Sequence, residues 1–389
     1  MDLIAVPVLR VGIIQRVLAS YRLPFFQKLG EVTGLTFSTF AGQGLPDEAI
    51  HGPDTTDIRN HWATKNYYFR SPAGIVCWQS GLSAWLRRFR PGVLILDTNP
   101  RILSSWLAVW QMKRWKYPVI GWGLGELPRS GPRWLRKLRA LISIAFIRKL
   151  DGVIGYSTKA ARHYIAAGVP PNRVFVACNS TDTKESEYYL SKLEFDSNWP
   201  KSWRESLRLN PELPIVLSVG RLIGEKKIDA LIRACAPLFD RCQLLIIGDG
   251  PLRSQLELEA SLFHDRIRFV GHQTGETLAK SFIASDIFVL PGSGGLAVHQ
   301  AMSYGKPVIV SFGDGTETDL VREGVNGFFF EPGNVKQLTA RLAQIIGQPK
   351  KLRAMGRASL KIVRQEINLD KMVQAFLDAL TRTRVIEEN

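Results

Sequence analysis

The chain has 389 residues, of which 45% are hydrophobic and 22% are charged. This length exceeds what one ordinary hydrophobic core holds, so two domains are expected, and the composition excludes a disordered or fibrous protein. The 51 Lys and Arg against 35 Asp and Glu leave a formal net charge of +16, which favours an anionic partner such as a membrane surface, a nucleic acid or a phosphorylated substrate.

Short apolar runs alternate with amphipathic helical patterns in the first half of the chain. The first run is interrupted by Pro7, Arg10 and Arg16 and has no small-residue cleavage site, so we interpret it as a strand rather than a signal peptide. Six runs are typical of strands: 11–14, 35–40, 92–96, 118–122, 152–157 and 174–178.

The second half repeats this alternation. Its predicted strands are 214–220, 243–250, 267–271, 286–292, 307–311 and 327–333. Continuous apolar strands that alternate with helices predict parallel sheets covered on both faces, and hence an α/β fold with two Rossmann-like domains. The polar, aromatic stretch between the two sets predicts the boundary. We expect an N-terminal domain at 1–190, a linker at 191–213, a C-terminal domain at 214–366 and a final helix at 367–389.

The four cysteines are Cys77, Cys178, Cys235 and Cys242. They are scattered, with no CxxC pair and no histidine at zinc-ligand spacing, so neither a disulfide framework nor a metal site is expected. This use of cysteine fits a reducing cytoplasm.

Two cations follow the first strand of the second domain. Arg221 stands at the end of the strand and Lys226 or Lys227 opens the next helix, so the arginine and a lysine can both point into one crevice. A planar guanidinium and a mobile ammonium together suit a diphosphate. An ordinary solvated loop also carries such a pair.

The stretch LPGSGGLAVHQAM reads as a strand end, a glycine-rich turn and the start of a helix. Its glycines let the backbone approach a ligand, and the free N–H groups of the helix from Leu296 carry the positive end of the helix dipole. The turn holds no charged residue, so it predicts phosphate binding only together with the two cations. The alternative is a plain strand-to-helix turn.

These motifs occur in an order that resembles one family. SVGRLIGEKKIDALI, LLIIGDGP, SDIFVLPG, QAMSYGKPVI and DLVREGVNGFFFEPGN, within 214–348, are similar to the carboxyl-terminal domain of the family 4 glycosyltransferases, the glycosyl transferases group 1 type. GVIGYSTKAARHYIAAGVPPNRVFVACNSTDT resembles the end of their amino-terminal domain. The resemblance implies the GT-B fold, in which two Rossmann-like domains face each other across a cleft and a final helix crosses back onto the first domain.

The resemblance also implies a donor site for a nucleotide sugar, with Arg221 and Lys226 on its diphosphate. The family has two glutamates in this segment, where the present chain has Gly292 and Gln300. Gln300 keeps an acceptor oxygen for a ribose hydroxyl, whereas Gly292 offers only backbone, so the donor cannot be inferred from relatives and slow or lost activity is an alternative. His299 is expected to pack on the other side of the helix. The remaining expected donor-binding residues are Ser293, Gly294, Gly295 and Leu296.

The first domain departs from the family pattern as well. Relatives often have a glycine pair after the first strand, and here Arg16 or Arg22 is expected to contact the phosphate or the acceptor. Relatives often have a catalytic-site histidine where this chain reads GWGLGELP. Glu126 and Asp97 are the titratable groups at these strand ends, and either suits a base for the acceptor hydroxyl or a helix cap.

The family mechanism retains the anomeric configuration. No pair of carboxylates flanks the predicted site, so a front-face displacement, in which the leaving phosphate helps take the acceptor proton, fits better than a double displacement. We expect no cofactor and no metal, because the two cations neutralise the diphosphate.

Basic and aromatic residues are concentrated between 85 and 149, where 14 Lys and Arg stand against two acidic residues. PRSGPRWLRKLRALISIAFIRKL suits a helix that lies in an anionic membrane interface, although a solvated basic helix followed by a buried one has the same pattern. No nucleic-acid-binding module is visible, so nucleic acid is not an expected partner.

We therefore expect a retaining glycosyltransferase of the hexosyltransferase type, peripheral on the cytoplasmic membrane face. It would transfer a sugar to a lipid-linked saccharide in the biosynthesis of surface polysaccharide, lipopolysaccharide or glycolipid. The alternatives are a nucleotide-sugar epimerase on the same fold and a non-catalytic sugar-nucleotide-binding protein.

Overall fold

The computed structural model describes residues 8–45, 48, 52, 58, 60–71, 74–125, 132–193 and 198–385. The chain divides into two compact units. Unit 1 extends to Cys178 and includes the segment from Leu369 onward, and unit 2 is Asn179–Asn368. Each unit has the α/β layout with a parallel sheet that the sequence predicts.

Unit 1 contains nine strands and the first five helices of the described chain. The strands are β1 Leu9–Val17, β2 Leu35–Gly42, β3 His61–Ala63, β4 Asn66–Ser71, β5 Gly74–Gln79, β6 Val93–Asp97, β7 Val119–Gly123, β8 Gly152–Gly155 and β9 Val174–Val176. The helices are α1 Leu23–Gly30, α2 Leu82–Phe89, α3 Leu103–Arg114, α4 Arg133–Ile147 and α5 Thr158–Ala166. Seven strands form one parallel sheet in the order β3-β2-β1-β6-β7-β8-β9. All six strands predicted for this half are confirmed.

Strands β4 and β5 form a separate antiparallel pair that the sequence did not predict. Tyr67 pairs with Trp78 and Phe69 pairs with Val76, and the Tyr67, Phe69 and Trp78 side chains are exposed. Continuous apolar runs indicate parallel strands buried on both faces. In this hairpin the exposed face carries apolar instead of polar side chains, so the sequence shows neither the usual alternation of such a strand pair nor a long buried run.

Unit 2 has six strands, and its sheet order is β12-β11-β10-β13-β14-β15, again parallel throughout. The strands are β10 Ile215–Val219, β11 Gln243–Ile247, β12 Ile267–Phe269, β13 Ile287–Leu290, β14 Val308–Ser311 and β15 Gly327–Phe330. All six match the predicted runs. The helices are α6 Lys184–Leu193, α7 Trp199–Ser206, α8 Ile228–Cys235, α9 Arg253–Ala260, α10 Gly275–Ala284, α11 Gly295–Ser303, α12 Glu317–Leu320, α13 Val335–Ile345 and α14 Pro349–Gln365.

The segment 191–213, which we expected to be a linker, differs from that expectation. It contains the end of α6 and all of α7, and both helices contact α10 within unit 2. Arg204 on α7 donates hydrogen bonds to the Ala284 carbonyl at 2.7 Å and to the Asp286 carboxylate at 2.9 Å. These contacts attach the segment to unit 2, so the division between the units falls at residues 178 and 179.

The last helix, α15 Leu369–Val385, belongs to unit 1 and contacts α1, β8 and β9. Its Phe376 is fully buried, with ring centroids 4.7 Å from Phe25 and 4.8 Å from Trp122. Aromatic pairs at such distances add to the stabilisation that burial alone provides. The helix therefore supports β7 directly beneath the carboxyl edge of the unit 1 sheet.

Candidate functional site

The strand order of unit 2 reverses direction between β10 and β13, which are neighbours in the sheet but not in the chain. In open α/β sheets such a switch point opens a crevice at the carboxyl ends of the strands, where ligands bind. Arg221 and Lys226 follow β10, and the glycine-rich loop 291–294 follows β13. The fold thus brings the two expected halves of the phosphate site to one edge.

Lys226 contacts the glycine-rich loop directly. Its ammonium donates a hydrogen bond to the Ser293 carbonyl, and the Ser293 N–H donates to the Glu225 carbonyl at 3.3 Å. Partial burial lowers the pKa of Lys226, although the charges of Asp314 and Glu225 act in the opposite direction. The lysine is therefore a partly desolvated cation held beside the start of α11.

The glycines of this loop are required by close backbone packing. A Cβ at Gly292 would lie 2.7 Å from the Cα of Lys226 and even closer to the Glu225 carbonyl, both of which are backbone. A Cβ at Gly294 would lie 2.5 Å from the Lys226 ammonium, and its φ of +137° also favours glycine. A glutamate at position 292 would therefore collide with the Lys226 loop, which gives a physical reason for the departure from the family pattern.

A third loop, which follows β14, supports the first turn of α11. The buried Glu317 carboxylate accepts hydrogen bonds from the N–H groups of Gly313 at 2.7 Å and Gly315 at 2.9 Å. Burial raises the pKa of Glu317 in spite of these bonds. The adjacent Thr316 packs against Gly295, where any Cβ would overlap its hydroxyl. Sequence reasoning missed this buried carboxylate, because a glutamate in a polar stretch gives no sign of burial.

Helix α11 begins at Gly295 without a side-chain cap, so the N–H groups of its first turn have no partner within the helix. The Leu296 and Gln300 side chains on this helix are partly exposed. The Gln300 amide makes no hydrogen bond to the described residues and is available to a ligand hydroxyl. Arg221 is partly buried and directly follows Gly220, whose φ is +155°.

His299 packs on the opposite side of α11, as expected. Its Nδ1 accepts a hydrogen bond from the Thr181 N–H at 3.3 Å, and its Nε2 donates to the Ile367 carbonyl at 2.8 Å. Burial lowers the pKa of His299 to about 4, so the ring is neutral near pH 7. The imidazole therefore joins the beginning and the end of unit 2, and its ring nitrogens are occupied.

The switch point of unit 1 lies between β1 and β6. Asp97 ends β6, and its carboxylate accepts a hydrogen bond from the Arg16 N–H at 3.1 Å. Burial raises the pKa of Asp97, and the positive charges of Arg22 and Arg16 compensate only in part. Asp97 lines a cavity of about 220 Å³ whose wall also includes Trp122 and Tyr156.

Two other residues of unit 1 were expected at the site, Arg22 and Glu126, and neither belongs to the described wall of this cavity. The Arg22 guanidinium is buried, stacks on the Trp122 ring at 4.1 Å and donates to the Tyr156 hydroxyl. It supports the rings that line the cavity rather than facing a ligand. Glu126 falls in 126–131, outside the described residues.

A second cavity of about 410 Å³ lies beside the first and shares Arg16 and Arg101 with it. Arg16 donates to the Glu48 carboxylate at 2.8 Å and to the Tyr68 hydroxyl at 3.0 Å. Tyr68 and Cys77 of the β4–β5 hairpin line the wall. Sequence reasoning did not select Arg101, because the hairpin that forms the cavity wall beside it was not predicted.

Two searches of the described residues found nothing. No group of three or more His, Cys, Asp or Glu in the described part of the chain could hold a metal ion. None of the helices there is both long enough and apolar enough to cross a membrane.

Two family models match the chain. The model "Glycosyl transferase 4-like domain" matches residues 32–180, and the model "Glycosyl transferases group 1" matches residues 200–361. The first match covers most of unit 1 and the second most of unit 2.

The chain is also similar to part of the length of several named proteins. The sulfoquinovosyl transferase SQD2 of Arabidopsis thaliana is 25% identical over 86% of this chain and 64% of that protein. The D-inositol 3-phosphate glycosyltransferase of Rhodococcus opacus is 26% identical over 72% of this chain and 60% of that protein. The chain thus spans less than two thirds of the length of these relatives.

Solved structures share the fold over nearly the whole chain. HepE of Anabaena in complex with UDP has a TM-score of 0.70 at 16% identity and covers 96% of this chain and 99% of that chain. The sucrose-phosphate synthase of Thermosynechococcus elongatus has a TM-score of 0.69 at 19% identity, with 97% and 99% covered. At these identities the likeness concerns the fold alone.

Gly292→Ala tests the close packing of the loop. The added methyl group has no room against the backbone of residues 225 and 226, so we expect a loss of about 1–3 kcal/mol in the free energy of unfolding, measured by urea denaturation. Gly224→Ala is the matched control, since nothing lies within 4 Å of its added Cβ, and it should change stability by less than about 0.5 kcal/mol. Equal effects of the two substitutions would contradict the packing described here.

Proposed function

Because the chain is a glycosyltransferase of the group 1 type with the GT-B fold, we propose that it transfers a sugar, with retention of configuration, from a nucleotide-diphosphate sugar to an acceptor hydroxyl. The observation that carries this proposal is the contact between Lys226 and the glycine-rich loop at the unit 2 switch point. A single edge of the sheet there combines a partly desolvated ammonium, a guanidinium and the N–H groups that begin α11.

This arrangement suits the leaving group of the reaction. The departing nucleotide diphosphate gains negative charge as its bond to the sugar breaks, and preorganised donors aimed at that charge lower the barrier. Lys226 and Arg221 supply positive charge, and the N–H groups of Gly294, Gly295 and Leu296 supply oriented dipoles. The two cations neutralise the diphosphate, so the proposed mechanism needs no metal ion.

Uridine diphosphate sugars are the first donors to test, since HepE has been crystallised with UDP and with UDP-glucose. Gln300 places a neutral amide where the family has a carboxylate, and the amide oxygen can still accept a hydrogen bond from a ribose hydroxyl. Gly292 offers the sugar no side chain. The sugar is therefore recognised through the Ser293 hydroxyl and main-chain groups of this loop.

On unit 1, Asp97 is the group that positions the acceptor hydroxyl. It lines the smaller cavity, and burial raises its pKa. In a front-face displacement the leaving phosphate oxygen takes the acceptor proton, and Asp97 orients the hydroxyl that loses it. No second carboxylate is needed in this role.

We further propose that the acceptor is a lipid-linked saccharide and that the enzyme binds an anionic membrane surface on its cytoplasmic side. Helix α4 exposes Trp134, Leu138, Leu141 and Ile142 along one face, with Trp134 65% and Leu141 64% exposed. Arg136 and Lys137 lie on the same helix and are exposed. Apolar side chains flanked by cations are typical of helices that lie in a lipid interface.

Lys226→Gln tests the donor site. Loss of the ammonium removes charge stabilisation of the leaving diphosphate, so turnover of a UDP-sugar should fall by about 10²–10³-fold, and UDP should bind more weakly in calorimetric titration. Lys227→Gln is the matched control, because Lys227 is adjacent and exposed, and it should behave like wild type. Wild-type UDP affinity and turnover in Lys226→Gln would refute the assignment.

The membrane proposal predicts that loss of the apolar face of α4 weakens vesicle binding. The double substitution Trp134→Ser and Leu141→Ser should weaken binding to phosphatidylglycerol vesicles by at least about tenfold in co-sedimentation, because both apolar side chains leave the lipid. Leu262→Ser, in which an 86% exposed side chain of unit 2 is changed, should have no effect. Salt should weaken wild-type binding. Equal binding to phosphatidylcholine vesicles would contradict the electrostatic part of the proposal.

A further inference from the structure

Arg16 and Arg101 both line the two adjoining cavities of unit 1, and the charge of Arg139 also reaches Arg101. Burial lowers the pKa of Arg101, and the nearby positive charges of Arg139 and Arg16 lower it further. Like charges that approach in a partly desolvated place destabilise a protein unless an anion joins them. An anion bound at Arg101 would relieve this repulsion.

Arg101 is held in a fixed orientation by its neighbour. The Asn99 side-chain oxygen accepts hydrogen bonds from the Arg101 backbone N–H at 3.1 Å and from its Nε at 3.3 Å. Gly74 of the hairpin closes over the other end, since a Cβ there would lie 3.1 Å from Nη1. The two terminal amino groups of the guanidinium make no hydrogen bond to any described residue. A fixed guanidinium with free donors is suited to bidentate binding of an oxyanion.

No carboxylate of the described residues forms an ion pair with this guanidinium. Glu48 pairs with Arg16 at 2.8 Å, and Asp97 accepts from the Arg16 backbone, but within the described chain Arg101 has no carboxylate within salt-bridge distance. Arg101 nevertheless lines both cavities, which have volumes of about 220 Å³ and 410 Å³. The smaller of the two also contains Asp97, so an anion on Arg101 and a hydroxyl at Asp97 would occupy one continuous site.

We propose that Arg101, in the cavities that it lines together with Arg16, binds a phosphate group of the acceptor and thereby orients the acceptor hydroxyl toward Asp97. The identification of this ligand as the acceptor rests on the proposed function. The phosphate site itself follows from the cavities and the arginines. The acceptor class is therefore a phosphorylated alcohol or saccharide rather than a neutral sugar. Arg101 is a binding residue in this scheme, and Arg16 and Arg139 strengthen the positive field around it.

Titration calorimetry of the full chain with sn-glycerol 3-phosphate, glycerol and inorganic phosphate tests the site. We expect glycerol 3-phosphate to bind and glycerol not to bind, with inorganic phosphate competing but binding more weakly because it lacks the alcohol. Arg101→Gln should weaken glycerol 3-phosphate binding by at least about tenfold, the effect of losing a charge-assisted hydrogen bond. Arg114→Gln, an exposed arginine on α3, is the control for the overall positive charge and should bind like wild type.

Thermal denaturation gives an independent readout. If Arg101 serves to bind a ligand, Arg101→Gln relieves charge repulsion, and its thermal midpoint should equal or exceed that of wild type. If Arg101 has a purely structural role, the substitution should lower the midpoint. Glycerol 3-phosphate binding that is unchanged in Arg101→Gln, or equally reduced in Arg114→Gln, would overturn the proposal. Equal affinity for inorganic phosphate and glycerol 3-phosphate would refute the assignment to an acceptor.

UDP titrations separate this inference from the proposed function. Arg101→Gln should bind UDP like wild type. If it lost UDP affinity while keeping glycerol 3-phosphate affinity, the cavity would serve the donor and the inference would fail. If wild type bound glycerol 3-phosphate but not UDP, the proposed donor site would fail while the phosphate site stood.

Discussion

The contact between the Lys226 loop and the glycine-rich loop determines the character of the unit 2 site. The backbone of residues 225 and 226 packs so closely on Gly292 that no side chain fits there. The same contact brings the Lys226 ammonium to the Ser293 carbonyl, beside the uncapped beginning of α11. The close packing of the two loops thus holds the Lys226 ammonium beside the N–H groups that begin α11. The same packing leaves no room for a glutamate at position 292.

At the switch point of unit 1 a buried carboxylate, Asp97, lies near the positive charges of Arg22 and Arg16. Asp97 is desolvated beside Arg22, whose guanidinium is buried against Trp122 and Tyr156. Helix α15 supports the Trp122 ring from below through Phe376. The Asp97 carboxylate therefore lies near a guanidinium held among aromatic rings, while the terminal amino groups of Arg101 make no hydrogen bond to any described residue.

The sequence predicted the parallel strands of both sheets because strands buried on both faces read as uninterrupted apolar runs. It also predicted that Lys226 and the glycine-rich loop share one edge, since both follow strands at the switch point. The β4–β5 hairpin, and with it the wall around Arg101, could not be found in this way, because its exposed face carries apolar side chains such as Phe69 and Trp78 and the sequence therefore shows no alternation. Glu317 and Arg22 are buried by contacts with residues distant in the chain, and such contacts cannot be predicted from the local sequence pattern.

Hydrogen–deuterium exchange with and without UDP measures the proposed phosphate cradle most directly. Backbone N–H groups that bind phosphate oxygens are protected from exchange. We predict that UDP slows exchange in residues 293–297 of wild type, and that this protection is lost in Lys226→Gln. Protection by UDP confined to other segments, with 293–297 exchanging as in the free protein, would contradict the account of this loop as the donor phosphate site.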